Sequence, residues 1–227
     1  MKKNILLIIV LLIGLFGITG CEQKEETDAE KFKKEFEAIN NEVIDKHNVR
    51  DLTIDEENPM IYKSAKEIVD MIDNKKTFIV FFGYNDCPWT RSMVETLIDV
   101  SKDYSIDHIY YVDIKRIRDV KYIDKNGNIK TKSKGSKYYY ELLNRLDIVL
   151  EEYKIDDVSM EEKRIESPTV IAITNGKPLE KTRGISDDQK DPYQKITKKM
   201  KNNMYKKMEC LAKCVNEAST TCKKNAC

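Results

Sequence analysis

Residues 77–91 read Thr77-Phe78-Ile79-Val80-Phe81-Phe82-Gly83-Tyr84-Asn85-Asp86-Cys87-Pro88-Trp89-Thr90-Arg91. After Thr77 come five apolar residues in a row, all β-branched or aromatic. A continuous apolar run of this kind, without polar alternation, marks a central strand covered on both faces. Gly83-Tyr84-Asn85-Asp86 then reads as a turn. Pro88 fits the first turn of a helix, where its missing N–H is not needed. Met93, Leu97, Ile98 and Val100 continue at helical spacing. A buried strand, a tight turn and a helix opening on a cysteine are therefore expected.

Outward from this stretch the pattern continues as alternating strands and helices. Residues 106–114 predict a second buried strand, and the strand–helix–strand order implies a parallel βαβ unit. Upstream, Met60-Ile61-Tyr62 is a short strand. Ser64 with Glu67 three residues later forms a capping box, opening a helix that carries Ile68, Met71 and Ile72 and ends near Asn74. Downstream, Asn126-Gly127 predicts a type I′ hairpin over residues 121–132. A helix over 136–153 carries Tyr139, Leu142, Leu143, Leu146, Ile148 and Leu150, and Tyr138-Tyr139-Tyr140 places one ring of three in the core. A strand at 169–174, a tight turn at Asn175-Gly176 and an antiparallel strand at 179–185 follow. A Lys-rich helix from about Pro192 runs toward Cys210, with Met200, Met204 and Met208 facing the core.

Two segments carry a resemblance. Residues 81–91, Phe81 to Arg91, resemble the strand, turn and Cys-x-x-Cys helix start of thioredoxin-like proteins. Glu166-Ser167-Pro168-Thr169-Val170, followed by Asn175-Gly176, resembles their cis-proline loop. The likeness covers about residues 60–205 and is similar to that of the bacteriocin transport accessory proteins of Gram-positive bacteria. It implies an α/β, thioredoxin-like fold: a central mixed sheet of four to five strands with flanking helices, here with an inserted hairpin and a cysteine-rich helical C-terminal tail. It also implies that Cys87 and Pro168 are site residues, with Pro88, Trp89, Arg91 and Ser167 lining a groove for an extended substrate chain.

The chemistry of Cys87 follows from its position. A helix N-terminus presents free N–H groups and partial positive charge, which favour the thiolate, the reactive form. Cys87 is expected to be partly exposed, with Arg91 adding positive charge. The departure from the pattern is Thr90, standing where the resemblance would place a second cysteine. A dithiol releases a mixed-disulfide partner by internal attack, and Thr90 closes that route. The expectation is a monothiol oxidoreductase or isomerase, needing an outside thiol, with a non-catalytic binding module as the alternative. His47 and His108 lie far apart in sequence, so neither a Cys–His dyad nor a histidine metal site is expected, and no cofactor is.

The first twenty residues have the texture of an export signal. Lys2 and Lys3 precede an apolar run over 5–18, which closes on Ile18-Thr19-Gly20-Cys21. That resembles a lipobox, with Cys21 lipidated and acting as the new N-terminus. The apolar core is shorter than the roughly 20 residues a spanning helix needs. Two acyl chains on Cys21 would hold the chain at the extracytoplasmic face of the membrane. The whole chain has 40 basic and 39 acidic side chains; without Lys2 and Lys3, 38 basic remain. Such a balance gives no footing for nucleic acid. The partners expected are exported polypeptides or a redox partner protein.

Four divisions follow: a signal at 1–20, a charged, partly helical tether at 21–58, the thioredoxin-like domain at 59–205 and the tail at 206–227. A helix over 29–49, with Phe32, Phe36, Ile39 and Val43 at helical spacing, is expected within the tether, packing on the domain. The tail holds Cys210, Cys214, Cys222 and Cys227. In an exported chain these read as a disulfide framework, Cys210–Cys227 with Cys214–Cys222. Zinc, or a tail cysteine resolving Cys87, are the alternatives. So polar a segment is expected to fray when reduced.

Overall fold

A computed structural model of the chain describes residues 25–155 and 158–216. The strand expected over 77–82 is Phe78–Gly83 (β4), buried along its whole length. The other elements, in chain order, are α1 (Asp28–Glu37), β1 (Val43–Ile44), β2 (His47–Asn48), β3 (Met60–Tyr62), α2 (Ala65–Asp73), α3 (Pro88–Asp103) and β5 (Ile109–Asp113). Then follow β6 (Val120–Ile123), β7 (Ile129–Ser133), α4 (Lys137–Leu146), β8 (Glu152–Ile155), β9 (Val158–Lys163), β10 (Thr169–Thr174), β11 (Lys177–Thr182) and α5 (Lys198–Asn216).

Five strands make the central sheet, in the order β11-β10-β4-β5-β3. β4 and β3 both run parallel to β5, while β10 runs antiparallel to β4 and to β11. With helices on both faces this is a thioredoxin-like fold. Strand alternation divides the core in two. Ile79, Phe81, Tyr111, Val170 and Ala172 face α1, α3 and α5. Phe78, Val80, Phe82, Val112, Ile171 and Ile173 face α2 and α4.

The first helix packs on the domain, and more deeply than a tether would. Thr27 and Glu30 form a capping box, the Glu30 amide donating to Thr27 Oγ1 at 3.2 Å and the Thr27 amide to the Glu30 carboxylate at 2.8 Å. Phe32 and Phe36, one turn apart, are fully buried, and their rings stack at 4.2 Å. Phe32 also meets the edge of Tyr111 at 5.1 Å. Burying one such ring contributes about 1.5–3 kcal/mol, which outweighs the charge around it. Leu52 and Ile54 complete the layer. The stretch expected as a tether is thus part of the core from Asp28 onward. Its helix ends at Glu37, not at 49. Asn41 adopts a positive φ, Val43 is exposed, and Asp45 and Lys46, both at positive φ, turn a small hairpin.

Other boundaries moved for local reasons. Ser64 and Glu67 cap α2 as expected, and Asn74 closes it. At residues 124–128 the Asp124 carboxylate accepts the Asn126 and Asn128 amides, both at 2.9 Å, and Gly127 alone takes the left-handed conformation. The result is a three-residue loop with a glycine bulge, not a type I′ turn. At Asn175-Gly176 both residues have positive φ and Thr174 pairs with Lys177, which is the expected tight hairpin. A Cβ at Gly176 would lie 2.3 Å from the Ile72 carbonyl oxygen. The helix expected to run to 153 stops at Leu146; Leu150 folds back into the core, and Ile148 is exposed. Residues 152–155 and 158–163 instead pair as β8 and β9.

The last helix begins at Lys198, not 192, and runs unbroken through 206 to Asn216. Met204, Met208, Leu211, Ala212 and Cys214 are all buried, so the boundary expected at 205 falls inside a core helix. Cys210 and Cys214 lie one turn apart on it. Cys222 and Cys227 lie outside the described residues, and so does the expected pairing with them.

Candidate functional site

Cys87 caps α3 at the end of β4. Its amide donates to the Tyr84 carbonyl at 3.2 Å, closing the turn, and its carbonyl accepts the Arg91 amide at 3.0 Å, starting the helix. Pro88 occupies the first helical turn. The β10 strand lies beside β4, with Thr169 opposite Phe82, so the loop ahead of β10 reaches over the cysteine. The Ser167–Pro168 peptide bond is cis. The Cys87 thiol donates to the Ser167 carbonyl at 3.5 Å, and the hydroxyls of Thr90 and Ser167 share a hydrogen bond of 3.0 Å. Cys87, Thr90, Ser167 and Pro168, separated by some 80 residues of chain, therefore meet at one point. Pro88 and Trp89 flank them, half-buried.

Two sequence expectations need correction, and one alternative loses support. Cys87 is only 4% exposed, not partly open, because its sulfur is tucked under the Ser167 carbonyl. Arg91 does not serve the thiol. Its guanidinium is buried and points the other way, donating to the carbonyls of Arg50 at 2.7 Å, Phe36 at 2.7 Å and Asn85 at 3.1 Å, and to Asn40 Oδ1 at 2.8 Å. It ties the segment after α1 to the turn before Cys87. Burial pushes its pKa down to about 10, against the opposing pull of Asp51 and Glu95. Cys214 is also poorly placed to resolve Cys87. Its carbonyl accepts from Thr174 at the far end of β10, five residues beyond Thr169, or about 17 Å at the rise of a strand.

Three residues missed from the sequence, Tyr84, Arg118 and Arg183, complete the surroundings. Tyr84 lies half-buried on the turn that leads into Cys87. Burial, and then the neighbouring Cys87, push its pKa up to about 12, while Arg118 opposes the shift. Arg118 donates to the Tyr84 hydroxyl at 3.3 Å, with its guanidinium 5.4 Å from the ring centre; Lys115 lies 5.3 Å from the same ring. On the opposite side Arg183 donates to the Ser167 carbonyl at 3.4 Å and pairs with Glu166 at 3.1 Å. The loop after β5 reaches Tyr84 because β4 and β5 are parallel and in register, Gly83 opposite Asp113. Tyr84 stood inside the stretch that decided the fold; Arg118 gave no local signal. Among the described residues, Cys87 is the free cysteine. Cys21, the expected lipidation site, lies outside them.

No protein-family model matches the chain, and no curated protein matches it either. Among solved structures, thioredoxin O2 from Arabidopsis thaliana in its oxidised state is similar at 14% identity, over 55% of this chain and 82% of that one, with a TM-score of 0.32. The fold assignment rests on the strand order, the two helical layers and the cis-proline loop beside Cys87.

Proposed function

We propose that this chain is an extracytoplasmic thiol protein, held to the membrane by a lipid on Cys21, that forms mixed disulfides with exported polypeptides through Cys87. The observation that carries the reading is the meeting of the Cys87 sulfur, at the start of α3, with the Ser167 carbonyl of the cis-proline loop. In the exchange, the Cys87 thiolate attacks one sulfur of a partner disulfide. A bond forms between Cys87 and that sulfur, the partner's own S–S bond breaks, and the departing sulfur leaves as a thiolate that takes up a proton. Thr90 has no sulfur for the second step and its hydroxyl is engaged by Ser167. An outside thiol must then release the partner. The lipid anchor and the export route draw their support from residues 1–21, Lys2 and Lys3 through Cys21.

The burial of Cys87 favours a second reading, a thioredoxin-like binding module without redox chemistry, as in an export or bacteriocin-related system. Alkylation separates the two. If Cys87 works as a thiol, iodoacetamide at neutral pH modifies it faster than a free model thiol. Labelling only after denaturation would favour the binding module.

A further inference from the structure

Resting on the lipid-anchor reading above, we propose that the β6–β7 hairpin is a second membrane contact, docking on anionic phospholipid through the face that bears Val120, Tyr122 and Lys130. Residues 115–137 hold nine basic side chains against two acidic, Asp119 and Asp124, in a chain of 40 basic and 39 acidic. Lys115 is paired with Asp86, Arg116 with Asp113, and Lys121 with Asp119 and Glu162. Lys125, Lys130, Lys132, Lys134 and Lys137 are exposed, and none of them pairs with a carboxylate among the described residues.

Strand pairing sorts the hairpin into two faces. Tyr122 lies opposite Lys130, and alternation along β6 puts Val120 on the same side. Val120 is 43% exposed and Tyr122 48%. Lys121, Ile123 and Ile129 take the other side and are half-buried; Lys121 and the opposing Thr131 line a cavity shared with Tyr140 and Leu143 of α4. The outward face thus carries an aromatic ring and an aliphatic side chain among unpaired lysines. At a bilayer surface such a ring sits at the headgroup level, and the ammonium groups meet lipid phosphate.

Position names the bilayer as the occupant. Asp28, at the start of α1, accepts the Tyr62 amide at 3.1 Å, so α1 begins at the end of the sheet where the parallel strands β3, β4 and β5 finish. The hairpin leaves from that same end, its base closed by the Ser136 amide donating to the Ile117 carbonyl at 2.7 Å. Residues 21–28 can span at most about 25 Å. A lipid on Cys21 therefore keeps this end of the sheet close to the headgroups. Each lysine brought to an anionic surface then strengthens binding about fivefold. Cys87 follows β4 at the same end, so the docked domain turns its thiol toward the bilayer.

The test uses the full-length natural chain reconstituted in vesicles of phosphatidylcholine alone, or of phosphatidylcholine and phosphatidylglycerol in equal parts. Acetylation of its lysines by a water-soluble ester is followed by peptide mass spectrometry. On the anionic vesicles Lys125, Lys130 and Lys132 should react about fivefold more slowly than on the neutral ones. The difference should vanish in about 1 M sodium chloride, where the screening length falls to about 3 Å. Lys75, exposed just before β4 at the opposite end of the sheet, should keep one rate on both vesicles. Equal rates for the hairpin lysines on the two vesicles would overturn the proposal. So would protection by polyglutamate without protection by phosphatidylglycerol, which would assign the face to an acidic polypeptide. Flotation with phosphatidylcholine alone reads the anchor separately, since that lipid carries no net charge. A chain that fails to float there counts against the lipid on Cys21, while the hairpin is still judged by its dependence on phosphatidylglycerol.

Discussion

Replacing Arg91 by Met separates two roles that the sequence alone conflates. If Arg91 served the thiol, the substitution would slow Cys87 and leave the fold intact. The structure assigns it to stability. Without the guanidinium, the carbonyls of Arg50, Phe36 and Asn85 lose a donor, while Asn40 Oδ1 keeps the Leu52 amide at 3.0 Å. Each buried acceptor left unsatisfied costs about 1–3 kcal/mol. Part of this is offset, because a charge that burial disfavours is removed and Met fills similar apolar volume. The net loss expected is about 3–5 kcal/mol, which in a chain of this size lowers the unfolding midpoint by roughly 6–20 °C. Thermal unfolding followed by near-ultraviolet circular dichroism reads it, alongside alkylation of Cys87 in the folded protein. A midpoint within about 2 °C of the natural chain, together with slowed alkylation, would refute the structural role.

Thr90→Cys should raise insulin-type disulfide reductase activity above a weak natural level by supplying an internal resolving thiol; strong activity in the natural chain would contradict the monothiol reading. Cys21→Ser should abolish both lipid labelling and cleavage after Gly20, and unchanged processing would sink the anchor. Glu67, bonded by the Ser64 amide and then Lys63, is held down to about 2. Its folded pKa is thus depressed, so its contribution is present above the unfolded value of about 4.3 and fades as pH falls toward 2. Glu67→Ala should accordingly cost about 1 kcal/mol in urea denaturation at pH 7 and close to nothing at pH 2. With Met208, Leu211, Ala212 and Cys214 buried, amide exchange over 206–216 should stay slow after reduction; rapid exchange there would restore the fraying tail.

The centre of the fold was legible because its signals are local and uncontested. Phe78 to Phe82 admit only a doubly covered strand, Ser64 and Glu67 spell a cap, and Asn175-Gly176 spells a tight turn. The errors came where a few residues outweigh their neighbours. Phe32 and Phe36 pull a charged segment into the core, and Leu211 with Ala212 extends the last helix through a polar stretch. β8 and β9 escaped notice because Leu146 and Leu150 prolong a helical period that the chain abandons at Asp147. In the site, Cys87, Thr90, Ser167 and Pro168 could be named from two motifs. The pairing of Arg118 with Tyr84 could not, since only the parallel register of β4 and β5 brings the loop after β5 to that ring. Arg91 was misassigned because one position on a helix does not say which way a long side chain turns.

The most direct test of Cys87 chemistry is trapping in the native compartment. Cells producing the natural chain or Cys87→Ser are quenched with acid, alkylated and resolved without reductant. Adducts that collapse on reduction are expected with Cys87, persistent because Thr90 cannot release them, and missing from Cys87→Ser. Equal patterns from the two chains would contradict the reading.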